Sequence, residues 1–383
     1  MYIFRSLARD SALHKLLWVC FSIKLLHVLL IIVVYYSFGI WELARSSNFL
    51  AQPDELRSLL SAFTTWDAQH YIFLAQHWYA PAQQSNAFYP LFPLLIRMIT
   101  FIFPHVALNG IVLANLFSCV AVVLFYFFVR KIYGEKTAFR ATVLLMTFPM
   151  TYYFSLPYVE SLFLTCILFT FIGIYTHRLG FIICAALLLP LAKPQGIIAA
   201  IPILYGVWVQ WKGYGRPRYI ALLLTFIAFL ISAATYFFLM HVFAGSALAG
   251  FAAQQYFDTN YSVNNLLHPL AWLHRNIFNL HLTIYLDPNN SVSNRIFFFC
   301  FLTLVYGAAR YTDKIQTFYL AFLGCFAAFT GDLASFPRYL LVLFPIYIVL
   351  AQRYEKKYWV VASTMFVLQL LYLTLHSMNF WVA

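Results

Sequence analysis

Apolar runs of membrane-spanning length recur from one end of this chain to the other. Leu16–Phe38, Val106–Val129 and Tyr219–Phe243 are the clearest. About 20 apolar residues in helical conformation cross the hydrocarbon of a bilayer. A soluble core cannot hide so much apolar surface. Of 383 residues 63% are hydrophobic, 20% aromatic and only 9% charged, against roughly 25% charged in soluble domains. The pattern predicts an all-α, polytopic transmembrane helical bundle, one integral-membrane domain over residues 1–383. Leu16–Phe38 is too long for a signal-peptide core and no small-residue cleavage site follows it, so it is expected to stay in the mature protein.

The remaining spans read as Thr142–Tyr153, Tyr158–Tyr175, Phe181–Leu191, Gly196–Trp211, Ile296–Ala309, a segment ending before Thr330, Arg338–Arg353 and Trp359–His376. The count is about eleven. Two long loops separate them, 39–105 and 244–294. The first is expected to carry surface helices, such as Asp54–Phe63, and an interfacial segment, Tyr89–Phe103. Charge orients the bundle through the positive-inside rule. With the N-terminus in the cytoplasm, sixteen of the 24 lysines and arginines fall on the cytoplasmic side and seven outside, with Lys24 inside the first span. The formal charge of +12 is thus an orientation signal, with some attraction to anionic lipid headgroups, and no nucleic-acid partner is expected. All six cysteines lie in apolar segments without metal-ligand spacing, so neither disulfides nor a structural zinc site is expected. Asn260-Tyr261-Ser262 and Asn289-Asn290-Ser291 match the glycosylation pattern.

Against this background the stretch Thr64-Thr65-Trp66-Asp67-Ala68-Gln69-His70-Tyr71 is unusual. On the derived topology Asp67, Gln69, His70, Glu160, Lys193, Asp332 and Arg338 all fall on the outer side. Ionisable groups at membrane depth are costly and tend to mark function or a buried pair. Each also has a plain structural reading. Asp67 suits a helix cap, His70 an interfacial aromatic, and Glu160 a structural ion pair. Lys193 and Arg338 suit snorkelling to the headgroups, and Arg338 also an interface anchor. Tyr and Trp at span ends suit an aromatic belt. Taken together, one acid and two separated cations suit transfer from a polyprenyl-phosphate sugar. The cations would hold the phosphate and neutralise the charge growing on it as it leaves, and Asp67 would take the proton of the attacking hydroxyl. A single displacement implies inversion at the anomeric carbon, through an oxocarbenium-like state. No cofactor is read from the sequence. Asp67, His70 and Glu160 could hold a divalent ion, but no ligand spacing supports one.

Several motifs carry a family likeness. Trp66-Asp67-Ala68-Gln69-His70-Tyr71, Phe88-Tyr89-Pro90-Leu91-Phe92-Pro93, Tyr158-Val159-Glu160-Ser161, Lys193-Pro194-Gln195-Gly196 and Phe336-Pro337-Arg338-Tyr339 resemble the PIG-V mannosyltransferase family. The likeness covers roughly residues 60–352. That family belongs to the integral-membrane C-type (GT-C) glycosyltransferases. The resemblance implies a multi-span helical fold, a catalytic acid in the first outer loop and a lipid-phosphate sugar donor. Eukaryotic members add the second mannose of the glycosylphosphatidylinositol anchor from dolichyl-phosphate mannose. It places Asp67 in the catalytic position and Glu160, Lys193 and Arg338 around the donor phosphate. Trp66, Gln69, His70, Gln195 and Tyr339 complete the substrate-binding candidates. The chain is shorter than eukaryotic relatives, and Lys193 stands where many have Arg. These departures point to a prokaryotic plasma-membrane enzyme acting on another glycolipid or a glycoprotein (the endoplasmic reticulum would be its place in a eukaryote). A transporter or flippase of lipid-linked sugars is the competing class, and a non-catalytic assembly subunit the third. No internal repeat supports the transporter reading.

Overall fold

A computed structural model describes residues 10–38, 50, 58–257, 262–278 and 292–382. The described residues form helices joined by short turns, without strands. We label the main helices α1 (Ser11–Phe38), α2 (Asp67–His77), α3 (Leu91–Thr100), α4 (Val106–Tyr133), α5 (Glu135–Thr147), α6 (Glu160–Thr176), α7 (Leu179–Ala192), α8 (Pro194–Ile198), α9 (Ala200–Gln210), α10 (Arg216–Ala244), α11 (Val292–Tyr311), α12 (Lys314–Phe329), α13 (Phe336–Leu340), α14 (Pro345–Arg353) and α15 (Tyr358–Ser377). Five helical segments are long and apolar enough to cross a membrane: α1, α4, α10, α11 and Glu355–Ser377, which contains α15. The other apolar helices are 10–17 residues long. The chain is read here as a membrane-spanning helical protein.

Two of the expected spans are broken by proline. The run Thr142–Tyr153 does not stay helical. Phe148 precedes Pro149 and adopts the extended backbone that proline imposes on its neighbour (φ −57°, ψ 139°). A 3₁₀ turn follows at Thr151–Ser155, and Pro157 delays the next helix to Glu160. The run Arg338–Arg353 is likewise divided, into α13 and α14, with Pro345 opening the second piece. Freed backbone groups at membrane depth need new partners, and side chains from other helices supply them. The Lys24 ammonium donates to the Phe154 carbonyl and to Asn115 Oδ1. The Gln369 amide donates to the carbonyls of Met146 and Phe148, and His27 bridges Ser155 and Gln369.

The bundle packs α4 against α5 and α6, α7 against α6 and α10, α14 against α5 and α11, and α15 against α1 and α5. Most carboxylates gather, with their partners, at its two ends. At one end Asp10 pairs with Arg130, Arg140 with Glu355, and Tyr175 and Gln316 with Asp313. At the other end lie Asp67, Glu160, Lys193 and Arg338. Between positions 89 and 103, α3 is a ten-residue helix. At 1.5 Å per residue it is about 15 Å long, half of what crossing needs. It buries Leu91, Phe92 and Ile96 and exposes Leu94 and Met98. Within the first loop, Leu59–Phe63 forms a single 3₁₀ turn. The preceding residues of the expected surface helix, and most of both glycosylation patterns, lie outside the described residues.

Candidate functional site

Four charged side chains from four elements meet at one end of the bundle. Asp67 opens α2, Glu160 opens α6, Lys193 joins α7 to α8, and Arg338 lies in α13. Arg338 Nη1 donates to Asp67 Oδ2 at 2.6 Å. Lys193 Nζ donates to Glu160 Oε1 at 2.7 Å. The same Glu160 oxygen lies 3.5 Å from Arg338 Nε, an ion-pair distance. The charges alternate, Asp67, Arg338, Glu160, Lys193, and cancel formally. Buried charges need such pairing to survive. Glu160 is 1% exposed, Arg338 6% and Lys193 8%, so the two cations do not snorkel. Asp67 makes no side-chain cap bond at the start of α2; its carboxylate faces Arg338 instead. Tyr153 and Tyr158, also buried, form no interfacial belt. Their rings lie 5.4 Å and 5.7 Å from the Arg338 guanidinium carbon, and Tyr339 lies 5.5 Å from Lys193 Nζ, within cation–π range.

The backbone before Asp67 is held in an uncommon conformation. Trp66 has φ 56° and ψ −130°, a strained region for a bulky residue that costs of order 1–3 kcal/mol. Two buried bonds to the preceding Thr65 enforce it. Tyr158 donates its hydroxyl to the Thr65 carbonyl at 2.9 Å, and Thr65 Oγ1 lies 3.0 Å from His376 Nε2. The resulting turn aims Asp67 across the bundle at Arg338.

Asp67, Lys193 and Arg338 open together into a cavity of about 140 Å³, whose wall also includes Gln195, Tyr339 and Trp381. Glu160 sits behind the two cations rather than in the wall. Trp66 packs edge-on against Trp381, ring centroids 4.7 Å apart. Gln69 accepts from the Leu50 amide at 3.0 Å. His70 lies under the floor: it stacks on Phe88 at 4.4 Å and contacts Ser85 Oγ at 3.0 Å. Burial pulls its imidazole down to about 4, although the Asp67 charge works the other way, so His70 is neutral at physiological pH. Asp67, His70 and Glu160 thus have separate partners. Among the described residues no three His, Cys, Asp or Glu side chains gather as metal ligands do. Buried polar atoms around the site without a hydrogen-bond partner include Glu160 Oε2, Gln195 Oε1, Trp66 Nε1 and Trp381 Nε1.

Trp381 escaped the sequence reading. After α15, Asn379 turns left-handed (φ 69°), with Asn379 N bonded to His376 O and Phe380 N to Leu375 O. This is a Schellman-type helix ending with Asn in the glycine role. It returns the chain over the site, so that the Trp381 ring lies 5.5 Å from the Arg338 guanidinium carbon. Asp332, also in the cavity wall, pairs with Arg275 of the second loop at 2.6 Å. That loop is tacked down by Trp272, whose indole donates to the Ala328 and Gly331 carbonyls. Only the Asn379 turn left a short-range signal in the sequence.

Gly196 sets the position of Lys193. A Cβ there would meet the Leu189 carbonyl oxygen at 1.9 Å and its carbon at 2.3 Å. Backbone cannot yield as a flexible side chain does. Gly196→Ala is therefore expected to force α8 off the end of α7 and carry Lys193 away from Glu160. The overpacking costs about 1–3 kcal/mol or more. Thermal denaturation of the detergent-purified protein measures it, and an unchanged midpoint would show that the turn is not tightly set.

No protein-family model matches the chain, and no curated protein matches it. Solved structures that resemble it include the Archaeoglobus fulgidus oligosaccharyltransferase in its apo form, at 13% identity and a TM-score of 0.49, covering 94% of this chain and 55% of that one. The same protein in complex with Zn and sulfate gives 14% identity and a TM-score of 0.47, over 93% and 52%. Its complex with an inhibitory peptide and a dolichol-phosphate gives 11% and 0.44, over 94% and 55%. The chain spans about half the length of the structures it matches.

Proposed function

We propose that this protein is an inverting glycosyltransferase of the GT-C type, moving a sugar from a polyprenyl-phosphate donor to a glycolipid or glycoprotein acceptor. The PIG-V-like motifs make mannose the preferred sugar. Charge bias puts the reaction on the non-cytoplasmic face of a prokaryotic plasma membrane, or the luminal face of the endoplasmic reticulum in a eukaryote. One observation carries the reading: Asp67 and two buried cations, Lys193 and Arg338, open into the same cavity, while the other carboxylate of its wall, Asp332, is paired with Arg275.

The chemistry follows from the pairing. A donor phosphate entering the cavity competes with Asp67 for the Arg338 guanidinium and gains Lys193. Glu160 holds both cations from behind and so fixes their spacing. Asp67, released from Arg338, accepts the proton of the acceptor hydroxyl as that oxygen bonds to the anomeric carbon. The bond from anomeric carbon to phosphate oxygen breaks, and its electron pair leaves on the phosphate. The two cations meet that growing charge without reorganising, since their aromatic and carboxylate neighbours already hold them. Gln195 and Tyr339 line the donor pocket, while Trp66, Gln69 and His70 set the pose of α2 around Asp67.

Lys193→Gln and Arg338→Gln are each expected to weaken donor use tenfold or more. That is the scale of one lost charged hydrogen bond, about 1.5–3 kcal/mol. Initial rates against donor concentration measure the effect. Unchanged donor kinetics in both variants would refute the phosphate assignment.

A further inference from the structure

A second cavity lies at the opposite end of the bundle, between α11 and α14. It measures about 450 Å³ and is lined by Leu302, Thr303, Tyr306, Arg310, Tyr311 and Arg353, with Gly307 at its back. Gly307 explains how the two arginines come together. A Cβ there would meet Val349 Cγ1 at 2.8 Å, so only glycine lets α11 approach α14 this closely. Both helices end at this same end of the bundle. Arg310 follows Gly307 by one turn and Arg353 follows Val349 by one turn, which sets the two guanidinium groups on one opening.

Among the described residues neither arginine has a carboxylate partner. The acids nearby are engaged elsewhere. Glu355 pairs with Arg140 at 2.8 Å, and Asp313 caps α12 through Ile315 N and Gln316 N. Gln352, beside Arg353, donates to the Tyr311 carbonyl at 2.9 Å and ties the two helices together at the mouth. Along α11 the exposed residues Ile296, Phe299, Leu302 and Tyr306 form one stripe at helical spacing. The stripe leads up to Arg310. From Leu302 to Arg310 is about 12 Å of helix. An occupant must therefore be anionic at one end and apolar at the other.

We propose that this groove binds the headgroup of an anionic phospholipid, its phosphate between Arg310 and Arg353 and its acyl chains along Leu302 and Phe299. Basic pockets between membrane helices are suited to such headgroups, and the two planar guanidiniums to a phosphate. The site is independent of the transfer reaction, which lies at the other end of the bundle.

The test uses the full chain, delipidated in neutral detergent and titrated with phosphatidylglycerol, phosphatidylcholine or free glycerol phosphate, with binding read by native mass spectrometry. Phosphatidylglycerol is expected to bind, and Arg310→Gln with Arg353→Gln to weaken it tenfold or more. Lys356→Gln with Lys357→Gln, adjacent but outside the groove, should leave binding unchanged. Thermal denaturation without lipid checks that both variants fold. Should the arginine variant misfold, competition between phosphatidylglycerol and phosphatidylcholine on the unaltered protein still decides. Equal binding of the two lipids, equal loss in the lysine variant, or binding of glycerol phosphate as tight as that of the lipid would each overturn the proposal.

Discussion

Asp67→Asn is expected to lower sugar transfer by about 10²–10⁴-fold, the range of a lost general base, while expression and folding persist. The substitution is isosteric and leaves Arg338 beside Glu160, so the buried cation keeps one acid. Trp66 keeps its turn, because Tyr158 and His376 enforce it through Thr65 and not through the carboxylate. Donor affinity should hold or improve, since Asp67 no longer competes with the phosphate for Arg338. Initial rates at saturating donor, beside a donor-binding measurement, separate the two effects. Full activity in this variant would remove the general-base role from Asp67.

Glu160→Gln carries the second large effect, and it falls on stability. One carboxylate oxygen serves both cations, at 2.7 Å from Lys193 and 3.5 Å from Arg338. Neutralising it leaves two buried cations and one acid, Asp67, which pairs with Arg338 only. Breaking a buried ion pair from one side costs about 3–5 kcal/mol, because the remaining charge stays desolvated. The thermal midpoint in detergent should fall accordingly, and donor use should fail with it as the cations lose their spacing. A Glu160→Gln protein as stable as the parent would mean that Glu160 does not anchor the pair.

The helical class was legible because apolar run length is a one-dimensional signal that needs no tertiary knowledge. The helix breaks were less so. Thr142–Tyr153 and Arg338–Arg353 read as continuous apolar spans, yet Pro149 and Pro345 divide them. Donors such as half-buried Lys24 and buried Gln369, far away in sequence, then satisfy the freed carbonyls. The meeting of Asp67, Glu160, Lys193 and Arg338 was legible as a set on one side of the membrane, since topology sorts residues by side. Their order of pairing was not. That Glu160 stands behind the cations, and His70 beneath the cavity floor, depends on side-chain direction. Trp381 was missed because a turn signal such as Asn379 does not say which part of the fold the chain returns to. Its place follows from the left-handed turn at Asn379.

The most direct measurement follows the fate of a labelled polyprenyl-phosphate mannose on the purified protein in liposomes, with a panel of glycolipid and glycan acceptors outside. The account predicts that free polyprenyl phosphate and a mannosylated acceptor form in equal amounts, and that both vanish with Asp67→Asn. Intact donor recovered on the opposite leaflet, with no sugar released, would contradict it and make the protein a carrier.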